Sequence, residues 1–282
     1  MNSPMPPLDQ TSEDFPQSPG RRYRILALLL RHIYLMQGSW PRVLEMMYWP
    51  TIQIILWGFM TEFFLTHSSW VAQASGVLIS AVLLWDMLFR AQLGFSLSFL
   101  EELWSRNIGN LAISPIRPWE FLTGLMLMSL LRTIIAIIPA TFVAILLYET
   151  SIYDLGLPLV AFFANLMLMG WALGMIVCAL ILRVGLGAES MAWLVIFLIA
   201  PVSAIYYPVT VLPEWLQTVA WSLPTAPVFE GMRSVLFEGT FREDLFTRAL
   251  SLNAVYFSVS ALLFLWSWRD SRRRGKLLDI GE

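Results

Sequence analysis

Apolar stretches of about 20 residues recur along this chain, and each is long enough to cross the roughly 30 Å hydrocarbon layer of a membrane. The 282 residues are 57% hydrophobic and only 13% charged, with a mean hydropathy of +0.66. Soluble domains usually carry about 25% charged residues. The sequence therefore predicts an all-α integral membrane protein.

Six membrane-spanning helices are predicted, over residues 48–65, 77–99, 119–148, 157–182, 190–207 and 250–268. With both termini inside the cell, thirteen of the 18 basic residues are cytoplasmic, three are outside, and Arg90 and Arg132 lie within the membrane. Because basic residues concentrate on the cytoplasmic side, this distribution favours an even number of spans with both termini cytoplasmic.

The ends of the chain differ in composition from the predicted membrane domain, residues 48–268. Residues 1–20 are polar and proline-rich and predict a disordered tail. Residues 21–47 interleave arginines with leucines and predict an amphipathic helix at the cytoplasmic interface, broken near 38–41. This helix could be a plain surface anchor or a moving gate element. Residues 269–282 predict a basic cytoplasmic tail.

A polar island lies between the second and third predicted spans, at residues 98–120. Ser98 and Glu101 have capping-box spacing, which predicts that a short helix starts here and runs over 98–110. Pro115 and Pro118 should end the helical path, because the residue before a proline avoids the helical region. A rigid polar helix between two spans, on the cytoplasmic side, could receive a push from a soluble partner.

The outer segment, residues 208–248, contains two short amphipathic pieces, neither of them long enough to cross a membrane. Pro213 suits the first turn of one helix, and Pro224 and Pro227 separate the two pieces. This pattern predicts a helical hairpin over 208–240 that rests on the outer leaflet or re-enters it. An ordinary external loop with two surface helices is the alternative.

Charged residues also lie well inside predicted spans, away from their ends: Asp86, Arg90 and Arg132. A charge at mid-bilayer costs about 2.5–3.5 kcal/mol on insertion scales, so these groups should face protein or water. One interpretation is a structural Asp86–Arg90 pair at i, i+4, extended to Arg132 across the helix interface. The other is that Arg132 faces a transport path and attracts an anionic head group.

The sequence lacks the residue motifs that nucleotide binding, hydrolysis and metal binding usually require. The single lysine is Lys276, so no phosphate-binding Gly-Lys-Ser/Thr loop is present, and neither a His-Glu-x-x-His nor a Gly-x-Ser-x-Gly motif occurs. A single cysteine, Cys178, allows neither an internal disulfide nor a thiolate metal site. The net charge of −2 gives no reason to expect nucleic acid as a partner. We therefore predict no catalytic, cofactor or metal site.

The arrangement resembles the membrane (permease) subunit of ABC transporters of the type-2 exporter family, over roughly residues 22–268. The resemblance is carried by the interfacial helix, by FLEELWSRNIGNLAISPIRPWEFLTG after the second span, and by YYPVTVLPEWLQTVAWSLPTAPVFEGMR after the fifth. Where many members have a charged Glu-Arg-Gly-Thr segment, this chain has Trp104-Ser105-Arg106-Asn107.

The resemblance implies a cytoplasmic coupling helix that docks on a separate ATPase, with these residues: Glu101, Glu102, Leu103, Trp104, Arg106 and Asn107. It also implies an outer re-entrant gate formed by the following residues: Tyr206, Tyr207, Pro208, Leu212, Pro213, Trp215, Pro224 and Pro227.

The implied assembly has two ABC ATPase subunits, which bind ATP and Mg²⁺, and a second permease copy, in the lipids of a bacterial inner membrane. This chain would be no enzyme; it would form the path for lipo-oligosaccharide, lipid-linked glycan or an amphipathic drug-like molecule. The alternative function is an integral-membrane transferase that modifies lipids or glycans. Its polar groups would come from the outer segment: Glu214, Glu230, Arg233, Glu238, Glu243 and Asp244.

Overall fold

The computed structural model of the protein describes residues 20–67, 75–148 and 151–275. Within these ranges the chain forms ten α-helices and no strand. The helices are α1 (Arg21–Gln37), α2 (Trp40–His67), α3 (Ser75–Trp104), α4 (Ile108–Ile113), α5 (Pro118–Tyr148), α6 (Pro158–Val184), α7 (Met191–Ile199), α8 (Glu214–Ser222), α9 (Thr225–Glu238) and α10 (Glu243–Arg273). Nearly all of the predicted N-terminal tail, and the end of the C-terminal tail, lie outside the described residues.

Four of these helices, α3, α5, α6 and α10, are long and apolar enough to cross a membrane. They correspond to the second, third, fourth and sixth predicted spans, so the prediction of an all-α membrane protein is confirmed at this level. Helix α2 contains the first predicted span but is not among the four.

The fifth predicted span, 190–207, differs from the expectation of one continuous helix. Helix α7 ends at Ile199 and is followed by a single 3-10 turn, Ala200–Val202. Together they form a segment about 18 Å long at 1.5 Å per residue, shorter than the hydrocarbon layer. Pro201 explains the ending, because it has no N–H to donate to a helical carbonyl.

The long helices pack with a defined polarity. Phe99 contacts Phe121 while the Ser129 hydroxyl bonds to the Ala91 carbonyl, so α3 and α5 are antiparallel. Helix α6 runs parallel to α3, because Gly170 lies against Ala91 and Gly174 against Phe95. It also runs parallel to α10, which it contacts near both ends. We call the end where α3, α6 and α10 terminate and α5 begins the charged end, and the opposite end, with α8 and α9, the hairpin end.

Helix α6 approaches α3 closely at two glycines. A β-carbon on Gly170 would lie 2.5 Å from the Ala91 Cβ and 3.0 Å from the Gln92 nitrogen. One turn later, a β-carbon on Gly174 would lie 2.8 Å from Phe95. The two helices therefore meet at backbone distance, with Phe95 seated against the Gly174 surface.

This contact makes Gly170→Ala a destabilising change. The added methyl group meets backbone and a β-carbon rather than a flexible side-chain end, so the helices must separate, at a cost of about 1–3 kcal/mol. We expect a lower midpoint of thermal unfolding in detergent. Gly187→Ala is the matched control, because nothing lies within 4 Å of its position. Equal midpoints for the two variants would contradict the close packing of α3 and α6.

Helix α1 lies against the charged end. It buries Leu28, His32 and Met36, a stripe at i, i+4 and i+8, and directs Arg24 and Arg31 toward carboxylates of α5 and α3, whereas Arg21 and Arg22 are exposed. The break predicted near 38–41 is confirmed, because α1 ends at Gln37 and α2 starts at Trp40. The predicted segment 21–47 is therefore divided between two helices, because its last residues, 40–47, belong to α2.

Candidate functional site

The polar island, residues 98–120, lies at the charged end. It does not form the single helix that was predicted. Ser98 lies inside α3, and its hydroxyl donates to the Gly94 carbonyl one turn earlier. Helix α3 continues to Trp104 because its buried face, Phe95, Phe99 and Leu103, continues that far. The predicted helix over 98–110 is thus the end of α3, a turn, and the start of α4.

We call residues 105–117 the α3–α5 connection; it contains α4. Its first turn places Arg106 in the left-handed region, at φ 52°, and the Asn107 N–H bonds to the Glu102 carbonyl at 2.9 Å. Residues 114–117 leave the helical path, and Pro118 is the first residue of α5. Helix α4 therefore ends just before Pro115, as predicted, whereas Pro118 starts α5 instead of ending a helix.

The predicted coupling residues divide into inward-facing and outward-facing groups. Glu102 and Leu103 are buried, and Glu101 and Asn107 are half-buried. Trp104 and Arg106 are exposed. Only part of the predicted set is therefore available to a partner in this conformation.

Glu102 is fully buried and joins three segments. Its Oε1 accepts from Arg31 Nε of α1 at 2.9 Å, and its Oε2 accepts from Asn107 Nδ2 at 2.6 Å. His32 packs on the same carboxylate, with Nε2 at 3.4 Å from Oε1. A buried carboxylate is tolerated when its oxygens are hydrogen-bonded, so Glu102 fastens α1 and the α3–α5 connection to α3.

Glu101 forms the second of these links. Its Oε2 lies 2.7 Å from Arg132 Nη2, and both side chains are mostly buried. Ser129, one turn before Arg132, contacts Gly94, which is about 10 Å from Glu101 along α3. The Arg132 side chain therefore extends toward the charged end, as long basic side chains do near an interface.

The extension of the Asp86–Arg90 pair to Arg132 is wrong. Asp86 and Arg90 do form the predicted i, i+4 contact, at 3.0 Å. Arg132 instead pairs with Glu101, which was predicted to lie in the cytoplasmic coupling helix and not within the membrane. Residue count alone places Arg132 level with Asp86, but the reach of an arginine side chain is enough to bring its charge elsewhere.

Sequence reasoning missed the link between Glu120 and Arg24. Fully buried Glu120 accepts from Arg24 Nη2 at 2.6 Å and from Nε at 2.9 Å, and it also accepts from the Arg117 N–H. The bond to Glu120 raises the pKa of Arg24 above its ordinary value, so the guanidinium stays charged. Glu120 two residues after Pro118 does indicate a helix start, but nothing in the sequence points to Arg24.

Two large apolar side chains at the charged end, those of Trp104 and Ile113, are exposed, and we call them the tip. Ile113 of α4 is 83% exposed, and Trp104 is 48% exposed with its indole N–H on Glu189. Arg106, Asn110 and Arg117 of the same connection are also exposed. An exposed tryptophan and isoleucine together with basic and polar residues have the composition of a protein-docking surface.

At the hairpin end, the two helices predicted in the outer segment are present as α8 and α9. They are joined at Leu223 and Pro224, whereas Pro227 lies within the first turn of α9. Buried Arg233 donates to three carbonyls, those of Ala204, Ile205 and Tyr207, at 2.6–3.2 Å. Ala204 itself is in the left-handed region, at φ 54°. Arg233 thus fixes an irregular backbone segment that has no helical bonds of its own.

The predicted gate residues occupy different parts of this end. Tyr206 stacks on Trp57 of α2 at 4.6 Å, and Tyr207 is half-buried. Leu212 is buried, whereas Pro208, Pro213 and Trp215 are exposed. Pro224 and Pro227 are buried among the residues that start α9. The structure brings Tyr206 and Tyr207 near Arg233, but it does not unite the whole set in one site.

The polar groups of the outer segment are engaged with one another or with backbone. Glu230 accepts from the Val209 N–H, Glu238 accepts from Ser234, and Asp244 pairs with Arg242. In the part of the chain that the structure describes, no three His, Cys, Asp or Glu residues are grouped to hold a metal ion. The charged end, with its exposed tip and buried ion pairs, is thus the better candidate for a functional site.

The sequence matches no model of a known protein family, and no curated protein matches it either.

Proposed function

We propose that this protein is the permease subunit of an ATP-driven ABC exporter of the type-2 kind, with six membrane spans. The spans would be α2, α3, α5, α6, the 190–207 stretch and α10, with both termini in the cytoplasm of a bacterial cell. The α8–α9 hairpin would rest in the outer leaflet and cap the exit.

One observation carries the proposal: the exposed tip of the charged end is tied to the long helices by buried ion pairs. Trp104 and Ile113 face outward, while directly behind them Glu101 and Glu102 bind α5 and α1. A partner that grips the tip would therefore move α1, α3 and α5 together. An isolated surface loop could not transmit such a displacement, because it would bend instead.

The mechanism requires no chemistry from this chain. ATP binding would close a dimer of partner ATPases, and the α3–α5 connection would be displaced with them. The nucleotide state of the partner would thereby select between two packings of the helices, one of which opens a path outward. The cargo would be amphipathic or lipid-linked, such as a lipo-oligosaccharide, a lipid-linked glycan or a drug-like molecule.

Co-purification with an ATPase subunit tests the proposal. We expect Trp104→Ala and Ile113→Arg to weaken the complex at least tenfold, because exposed anchors of this kind carry much of an interface's binding energy. Trp215→Ala and Leu157→Arg are matched controls, since Trp215 is 71% and Leu157 is 87% exposed at the hairpin end. Glu101 is unsuitable as a probe because changing it would also leave Arg132 unpaired.

Three results would overturn the proposal. The first is a complex that tolerates both charged-end variants as well as it tolerates the controls. The second is labelling of residues 105–113 from the extracytoplasmic side. The third is turnover of a lipid or glycan substrate by the purified chain without an ATPase.

A further inference from the structure

A cavity of about 250 Å³ lies at the charged end, where α6 and α10 terminate. Its lining consists of Leu182, Arg183, Asp270, Ser271 and Arg274. Two guanidinium groups therefore face one carboxylate, and the cavity carries a net positive charge. Three further arginines of α10 and its surroundings, Arg269, Arg272 and Arg273, add to the positive potential at this end.

The two lining arginines are not needed to cap the helices. Arginines near helix C-termini often bind the last carbonyls. Here the Ser271 hydroxyl bonds to the Leu182 carbonyl at 2.9 Å, and Arg183 stacks over Trp266 with Cζ at 3.7 Å from the ring centroid. Within the described residues, no oxygen accepts a hydrogen bond from Arg183. Among the residues that the structure describes, Arg274 donates through Nε alone, to Asp270 at 2.9 Å.

An apolar track leads from the cavity along the outer surface of the bundle. Leu180 of α6 and Leu262 of α10 are exposed one turn before Arg183 and Trp266, respectively. Leu262, Trp266 and Asp270 are spaced by four residues and so follow one stripe of α10. Tryptophan is enriched where a membrane meets water, which fits a cavity at the head-group level with an acyl-chain track beside it.

We propose that this cavity binds the phosphate group of an anionic phospholipid, with the lipid's acyl chains along the α6–α10 track. Arg183 and Arg274 supply guanidinium N–H donors, which suit phosphate oxygens. Free phosphate offers the same anionic chemistry but leaves the apolar track unused, so the lipid is the occupant to which we commit. The inference is independent of the ATPase partner, because the site is built from this chain alone.

The test is native mass spectrometry of the purified full chain with phosphatidylglycerol and, separately, with phosphatidylcholine of identical acyl chains. We expect the double variant Arg183→Gln/Arg274→Gln to bind phosphatidylglycerol about tenfold more weakly, as for the loss of a charge-assisted hydrogen bond. The unmodified chain should bind phosphatidylcholine more weakly than phosphatidylglycerol, because the choline group offsets the phosphate charge. Asp270→Asn should strengthen phosphatidylglycerol binding, since it removes the one carboxylate; a gain cannot arise from misfolding.

Arg248→Gln is the control, because Arg248 also lies over a tryptophan, Trp221, but at the start of α10 near the hairpin end. It should leave phosphatidylglycerol binding unchanged. Inorganic phosphate in excess distinguishes the two sources of anion, and we expect it not to displace the lipid. The proposal fails if the double variant binds phosphatidylglycerol like the unmodified chain, if Asp270→Asn weakens binding, or if phosphate competes effectively.

Discussion

Arg24→Gln is expected to lower the free energy of unfolding, because removing one partner of this ion pair leaves the Glu120 carboxylate without its counter-charge. Glu120 is fully buried and receives two short hydrogen bonds from the Arg24 guanidinium. Without them its carboxylate would keep only the Arg117 N–H among the bonds described above. Unfolding in mixed micelles, followed by helical circular dichroism, measures the change.

Arg22→Gln is the matched control, since it removes the same charge from the same helix at an exposed position. It should change stability by no more than about 0.5 kcal/mol. The double variant Arg24→Gln/Glu120→Gln should recover part of the loss, because no unpaired charge is left buried. A strictly additive double variant would show that the two residues do not act through their contact.

Arg233→Gln should also destabilise the fold, by at least about 3 kcal/mol, but at the opposite end. The variant leaves three carbonyls without their donor, and each unsatisfied buried polar group costs about 1–3 kcal/mol. Because these carbonyls belong to residues 204–207, this segment should also open to solvent first. Hydrogen exchange at residues 203–209, read alongside the unfolding midpoint, reports both effects.

Arg242→Gln provides the comparison for this change. Arg242 forms an ion pair with Asp244 at 2.6 Å, but both side chains are at least half exposed. Exposed pairs contribute about 0–1 kcal/mol, so this variant should be nearly as stable as the unmodified chain. If Arg233→Gln were equally harmless, Arg233 could not be what fixes the 204–207 backbone.

The long helices were predictable because their signal is local. A window of 18 or more apolar residues identifies α3, α5, α6 and α10 without reference to any other part of the chain. The 190–207 stretch is just as apolar, yet its helix stops before Pro201, and the carbonyls beyond it bond to Arg233 instead. Apolarity indicated membrane-like surroundings there, but it could not reveal that the backbone bonds are made by a distant side chain.

The position of the candidate site in the sequence was predictable, but its ion pairs and hydrogen bonds were not. The polar composition of 98–120 marked the segment, and the third predicted span, from residue 119, starts within one residue of α5. Ser98 misled because a serine can cap a helix or bond back inside one, and its sequence context is the same in both cases. The ion pairs join residues 31, 71 and 96 positions apart, and single-sequence patterns contain no information on such distances.

The glycine contacts between α3 and α6 have a mechanical consequence. Sliding one helix along the other would drive Phe95 out of the recess at Gly174 and press Ala91 into the backbone at Gly170. Any load applied to the tip of α3 should therefore arrive at Leu182 and Arg183 as a shift of the whole of α6. Helices α3 and α6 therefore move as one rigid unit, so the end of α3 and the end of α6 cannot be repositioned independently.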